Sequence, residues 1–215
     1  MATQITKSRR CVIIAGAPDE DVDFIRQAVR QDDFVLCADR GVLYALDAGI
    51  TPDVIVGDFD SYSGDLPSGS EVVRLLPEKD DTDTLHCVDT ALKRGYTEFI
   101  LLAATGGRLD HTLANVTVLE YLDAHNAHGM ILSKNETIRF LPPGTHFFHG
   151  LNGKTFSVFP FGCDSAVLSY RGAKYPLHHE PLCHSTARGV SNVFTSGAAE
   201  ITVHSGKAVV IVVSE

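Results

Sequence analysis

The sequence predicts an α/β protein: a mostly parallel, doubly wound sheet domain followed by a smaller all-β sandwich domain. Three observations carry that prediction. Short apolar runs alternate with helix-like segments over the first two thirds of the chain. Those runs are apolar almost without interruption, as expected of strands buried on both faces. From about Thr137 the rhythm changes to short segments punctuated by Gly, Asn, Pro and Ser at the intervals of antiparallel sheets.

Taken in order, Cys11–Ala15 reads as a buried strand, followed by Gly16-Ala17-Pro18 and an acidic helix start at Asp19–Asp21. That helix carries Phe24, Ile25, Ala28 and Val29 on one face. Phe34–Ala38 is the next strand, and Val42–Ala48 a short helix closed by Gly49. Val54–Val56 and Val72–Leu76 are further strands. A helix over Thr84–Arg94 shows Leu85, Val88 and Leu92 as a stripe and stops at Gly95. Phe99–Ala104 is a strand, Leu113, Val116, Leu119 and Leu122 mark the next helix, and Met130–Leu132 closes this half. Beyond it, Thr155–Phe159, Ala166–Ser169, Glu200–Val203 and Ala208–Val213 read as strands with no helix among them. The expected domains are therefore residues 1–136 and 137–215.

Composition bounds the function. A net charge of −9 argues against a general nucleic-acid surface, which needs clustered Lys and Arg. No apolar run suggests a membrane span, and Met1–Arg10 lacks the apolar centre of a secretory signal, so a cytoplasmic protein is expected. The five cysteines form no Cys-x-x-Cys pair, and a structural role is expected for all of them. His178-His179 and Cys183-His184 lack recurring metal-ligand spacing.

The acidic residues collect where ligands bind an open α/β sheet, at the carboxyl ends of its strands. Asp39 follows the second strand, Asp58 and Asp60 the third, and Asp80, Asp81 and Asp83 the fourth. Gly106, Gly107, Arg108 and Asp110 follow Phe99–Ala104, with His111 beside them. A single Asp after a strand is most often a cap or turn former. Several carboxylates on one rim repel one another unless cations sit among them, and hard oxygen ligands suit Mg²⁺. In Gly57-Asp58-Phe59-Asp60-Ser61, an extended backbone would point both carboxylates the same way. Two glycines in Thr105-Gly106-Gly107-Arg108 let backbone N–H groups approach a phosphate, and Arg108 offers a bidentate contact.

With these motifs in hand, the chain resembles the thiamin pyrophosphokinase family. The matching stretches are Ala38-Asp39-Arg40-Gly41, Gly57-Asp58-Phe59-Asp60-Ser61, Lys79-Asp80-Asp81-Thr82-Asp83 and Thr105-Gly106-Gly107-Arg108-Leu109-Asp110-His111-Thr112 with Asn115. Lys174-Tyr175-Pro176-Leu177 and Gly189-Val190-Ser191-Asn192-Val193-Phe194 match in the second domain. The resemblance implies an ATP- and Mg²⁺-binding catalytic domain, a thiamin-binding and dimerisation domain, and a homodimer with active sites between subunits. By matched position, Asp58, Asp60 and Asp83 hold Mg²⁺ and act in catalysis with Arg108. Asp39, Ser61, Asp80, Thr105, Gly106, Gly107, Asp110 and His111 complete the nucleotide site, and Tyr175, Ser191 and Asn192 lie near thiamin. Arg40 stands where the family usually has glycine, and Tyr175 where tryptophan or another aromatic is common. The implied activity is transfer of a pyrophosphoryl group from ATP to the thiamin hydroxyl. The alternatives are a Mg²⁺-dependent nucleotide phosphohydrolase, a non-catalytic nucleotide sensor, and a pyrophosphokinase for another heterocyclic alcohol.

Overall fold

A computed structural model describes residues 10–18, 20–59, 66–76 and 81–214. The chain divides into two compact units, 1–134 and 135–215. In the first, β1 (Arg10–Ile14), α1 (Val22–Ala28), β2 (Phe34–Ala38), α2 (Gly41–Asp47), β3 (Val54–Gly57) and β4 (Glu71–Arg74) follow one another. They are succeeded by α3 (Asp83–Lys93), β5 (Glu98–Leu102), α4 (Leu109–Ala124) and β6 (His128–Leu132).

The six strands pair in parallel in the order β6-β5-β1-β2-β3-β4. Successive connections step from β1 out to β4, and the next returns across the sheet to β5. The order therefore reverses between β1 and β5, which is the switch point where open α/β sheets leave a crevice. The central strands are buried on both faces: Val12, Ile13, Ile14, Leu36, Ile55 and Leu101 are all fully enclosed. The outermost strand, β4, differs. Its pairing with β3 ends at Arg74 opposite Gly57, and Leu76 beyond it is 76% exposed, so the expected run to Leu76 is shortened at the sheet edge.

Helix starts follow local chemistry. The Asp21 carboxylate caps α1 by accepting from Phe24 N–H at 3.0 Å. Thr82 caps α3, accepting from Leu85 N–H at 3.3 Å and leaving Asp83 in the first turn. Gly41 opens α2 against β1, where a Cβ would meet the Ile14 carbonyl oxygen at 2.1 Å. Only glycine permits that approach. Among the described residues no helix is long and apolar enough to cross a membrane.

The second unit holds two four-stranded antiparallel arrays. One has the order β12 (Asn192–Val193), β9 (Thr155–Pro160), β14 (Ala208–Val213) and β7 (Glu136–Leu141). The other runs β11 (Glu180–Cys183), β10 (Ser165–Arg171), β13 (Ala198–Ser205) and β8 (Gly144–His149). Alternate residues of β9, β10 and β13 turn inward, and Phe156, Leu168, Ile201 and Val210 meet in one core. Phe156 and Phe194 stack there with ring centroids 4.2 Å apart. Cys11, Cys37 and Cys87 are enclosed in the first unit, where burial pushes their thiols up, consistent with core roles.

Candidate active site

A cleft of about 610 Å³ opens at the switch point of the parallel sheet. Its wall is built from strand ends. Ala15 to Pro18 follow β1, Ala38 to Arg40 follow β2, and Ala104, Gly106, Gly107 and Arg108 follow β5. Thr82, Asp83 and Thr84 enter from the start of α3, and His111 and Asn115 from α4.

Hydrogen bonds fix the loops against one another. Ala15 N–H donates to the Leu102 carbonyl at 2.8 Å and Ala17 N–H to the Ala103 carbonyl at 2.9 Å, joining the first and fifth strand ends. The Tyr44 hydroxyl, on α2, donates to the Ala17 carbonyl at 2.8 Å. Buried Asn115 donates its amide N–H to the Ala104 carbonyl at 2.8 Å, tying α4 to the floor. Gly106 and Gly107 have φ of 100° and 62°, and a Cβ on Gly107 would meet Pro18 at 2.6 Å. Both demands select glycine.

Asp39 adopts φ 46°, a left-handed conformation that is uncommon outside glycine, and its N–H donates to the Val56 carbonyl at 2.8 Å. Such strain in a non-glycine residue clusters at functional sites. Arg40, by contrast, has ordinary helical angles, φ −65° and ψ −6°. The turn after Asp39 therefore accepts a side chain at residue 40 without a clash. Asp58 stands at the end of β3, and the expected extended path beyond it is corrected: Phe59 has φ 61°, so the backbone turns there. An arginine, Arg74, lies over the Phe59 ring at 5.0 Å from its centroid.

Arg108 and Asp110 form a bidentate pair, with Nη2 to Oδ2 at 2.6 Å and Nε to Oδ1 at 3.1 Å. The Arg108 guanidinium holds the Asp110 carboxyl below the usual carboxylate range. His111 N–H also donates to Asp110 Oδ1, at 3.0 Å.

Asp39, Asp83, Gly106, Gly107, Arg108 and His111 are thus brought to one cleft, with Thr105 in the same loop and Asp58 on a neighbouring strand end. Asp60, Ser61 and Asp80 lie outside the described residues. Among the described residues no three of His, Cys, Asp and Glu gather as a metal cluster. The first-strand loop Ala15–Pro18 and Thr82 also line the cleft without having been singled out. Gly16-Ala17-Pro18, a loop at a strand's carboxyl end like the others, was the available signal.

The substrate candidates of the second unit are arranged around Asn192. Its side-chain oxygen accepts from Tyr175 N–H at 3.0 Å and Val193 N–H at 2.9 Å, and its amide donates to the Tyr175 carbonyl at 2.7 Å. Asn192 is buried and committed to the chain, whereas Tyr175 is 59% exposed. Ser191 beside it has φ 59°.

A glycine-lined, carboxylate-bearing cleft on a parallel sheet, joined in sequence to a β-sandwich unit, defines a class of two-unit phosphoryl-handling α/β enzymes. Within that class the comparisons are specific. Residues 25–131 match the family described as thiamin pyrophosphokinase, catalytic domain, and residues 145–210 match thiamin pyrophosphokinase, vitamin B1 binding domain. The thiamine pyrophosphokinase of Bacillus subtilis is 30% identical over 180 residues, covering 81% of this chain and 83% of that protein. Thiamine pyrophosphokinase 1 of Oryza sativa is 29% identical over 167 residues, 70% of this chain and 62% of that protein. The crystal structure of the Bacillus subtilis protein superposes with a TM-score of 0.86 at 25% identity, covering 96% of this chain and 99% of that one. The fold of the Candida albicans thiamin pyrophosphokinase is also similar, with a TM-score of 0.79 at 16% identity, covering 96% and 89%. The chain belongs to the thiamin pyrophosphokinase family.

Proposed function

We propose that this protein transfers the pyrophosphoryl group of ATP to the hydroxyl of thiamin, giving thiamin diphosphate and AMP. One observation carries the reading: the cleft at the sheet's switch point joins Asp39 and Asp83 to the Gly106-Gly107-Arg108 turn. Phosphoryl transfer asks a protein mainly for positioning and charge stabilisation, which such a set supplies. Family membership supplies the acceptor.

In this reading the N–H groups of Gly106 and Gly107 face the phosphates and Arg108 grips them, exchanging its contact with Asp110 for phosphate oxygens. Asp60 or Asp83 accepts the proton of the attacking hydroxyl. Tyr175 stacks on the cationic ring of thiamin, with Ser191 nearby and Asn192 holding the tyrosine's backbone in place. Asp39 and Asp80 complete the nucleotide site.

The donor chemistry fits Mg²⁺. The carboxylates lining the cleft are hard oxygen donors, no thiol lines it, and one or two carboxylates plus substrate phosphates is a common Mg²⁺ arrangement. Asp58, Asp60 and Asp83 would hold the ion, which when bound neutralises charge on the phosphates. We further infer a cytoplasmic homodimer whose sites lie between subunits, the second unit serving thiamin binding and dimerisation.

The site assignment is tested by replacing Asp60 with Asn. Turnover should disappear while the circular dichroism spectrum and Tm stay those of the parent. Near-normal activity with Mg²⁺ and ATP would show that the carboxylates are wrongly assigned. A water nucleophile is separated from thiamin by measuring AMP release with and without thiamin, and release should require it.

A further inference from the structure

We propose that Arg40 is a second phosphate-binding cation of the cleft and determines the affinity for the polyphosphate of the nucleotide. The inference rests on the nucleotide reading of this cleft.

Three observations place it. Arg40 lines the same cleft as Gly106, Gly107 and Arg108, entering from the other side of β1, after β2 rather than β5. Its stem is laid across the first-strand loop: a Cβ on Gly16 would stand 2.8 Å from Arg40 Cγ and 3.6 Å from Cδ. The glycine at 16 is therefore what lets this side chain lie there. Finally, among the described residues the Arg40 guanidinium makes no ion pair and no hydrogen bond.

The contrast with Arg108 decides what this means. Arg108 spends two of its five donors, its Nε–Nη2 edge, on both oxygens of Asp110, so a carboxylate already holds that bidentate face. Among the described residues nothing occupies the five donors of Arg40, a planar fork suited to phosphate oxygens. An arginine so placed beside Asp39, in a cleft that also holds Asp83, would be expected to pair with one of them if its task were only to offset their charge. It does not. Its geometry serves an anion brought in by the ligand.

A purely structural alternative is that Arg40 covers Gly16 with its methylenes. Arg40→Met keeps an apolar stem over Gly16 and removes the charge, whereas Arg40→Ala removes both. Binding of inorganic tripolyphosphate with Mg²⁺ and of ATP with Mg²⁺ is measured by calorimetry, alongside the KM values for ATP and thiamin. Both variants should weaken tripolyphosphate and ATP binding about ten- to a hundredfold, the range for a lost charged hydrogen bond, and Arg40→Lys should recover part of it. The KM for thiamin should stay within about twofold of the parent. Parent-like affinity in Arg40→Met would overturn the proposal, whatever Arg40→Ala does. If the parent makes thiamin diphosphate and Arg40→Met binds as well as the parent, the proposal alone falls. If the parent binds tripolyphosphate through Arg40 but leaves thiamin unchanged, the acceptor reading falls and Arg40 stands. A parent that binds neither anion refutes both.

Discussion

At the scale of single residues, the side chains that speak most plainly are those whose bonding is already complete. Asn192 spends its oxygen and its amide on three backbone groups, two of them at Tyr175. Asn192→Ala should therefore raise the KM for thiamin about tenfold, with the KM for ATP unchanged, because the tyrosine loses its support rather than the ligand a contact. Steady-state kinetics in both substrates checks this. The motif placed Asn192 near the acceptor, but a clamp on a residue 17 positions away is invisible without the turn that joins them. Asp110 gives a pH prediction. Arg108 lowers its folded pKa below that of the unfolded chain, so the pair's stabilisation is complete above the ordinary carboxylate value of about 4. It is lost only as pH falls through the lower, folded value. The Tm difference between the parent and Asp110→Asn should stay constant from about pH 5 to 8 and shrink below about pH 4, remaining small because both side chains are largely exposed.

At the scale of elements, the parallel strands were legible because burial on both faces leaves a continuous apolar run, as in Val54–Gly57. The rim was legible for a related reason, since carboxylates and glycines cluster where those runs stop. Elements set by their neighbours were not. β7 and β8, at Glu136–Leu141 and Gly144–His149, mix polar and apolar residues without a regular alternation and draw their stability from antiparallel partners. The turn at Phe59 also escaped, because φ 61° is a conformation a phenylalanine rarely adopts. Two substitutions test how the elements are seated. Thr82→Ala should cost about 1 kcal/mol by removing the cap of α3. Gly41→Ala, which drives a methyl into the Ile14 carbonyl, should cost about 1–3 kcal/mol and displace α2 from β1. Denaturant titration measures both, and parent-like stability in Gly41→Ala would contradict the close packing of α2 on β1.

At the scale of the whole molecule, an acidic protein with net charge −9 brings two of its arginines, Arg40 and Arg108, to the cleft at the switch point of its sheet. The second unit is built separately around its own aromatic core, and Phe156→Ala there should lose about 3–5 kcal/mol in denaturant unfolding. Both units matched the same family, and the central claim follows from their combination: a pyrophosphoryl group leaves ATP for thiamin. The most direct test is to incubate the purified protein with ATP, Mg²⁺ and thiamin and identify the products by mass. Thiamin diphosphate and AMP should appear in equal amounts, with neither formed when thiamin or ATP is omitted. Thiamin monophosphate with ADP, or nucleotide cleavage that proceeds equally well without thiamin, would contradict it.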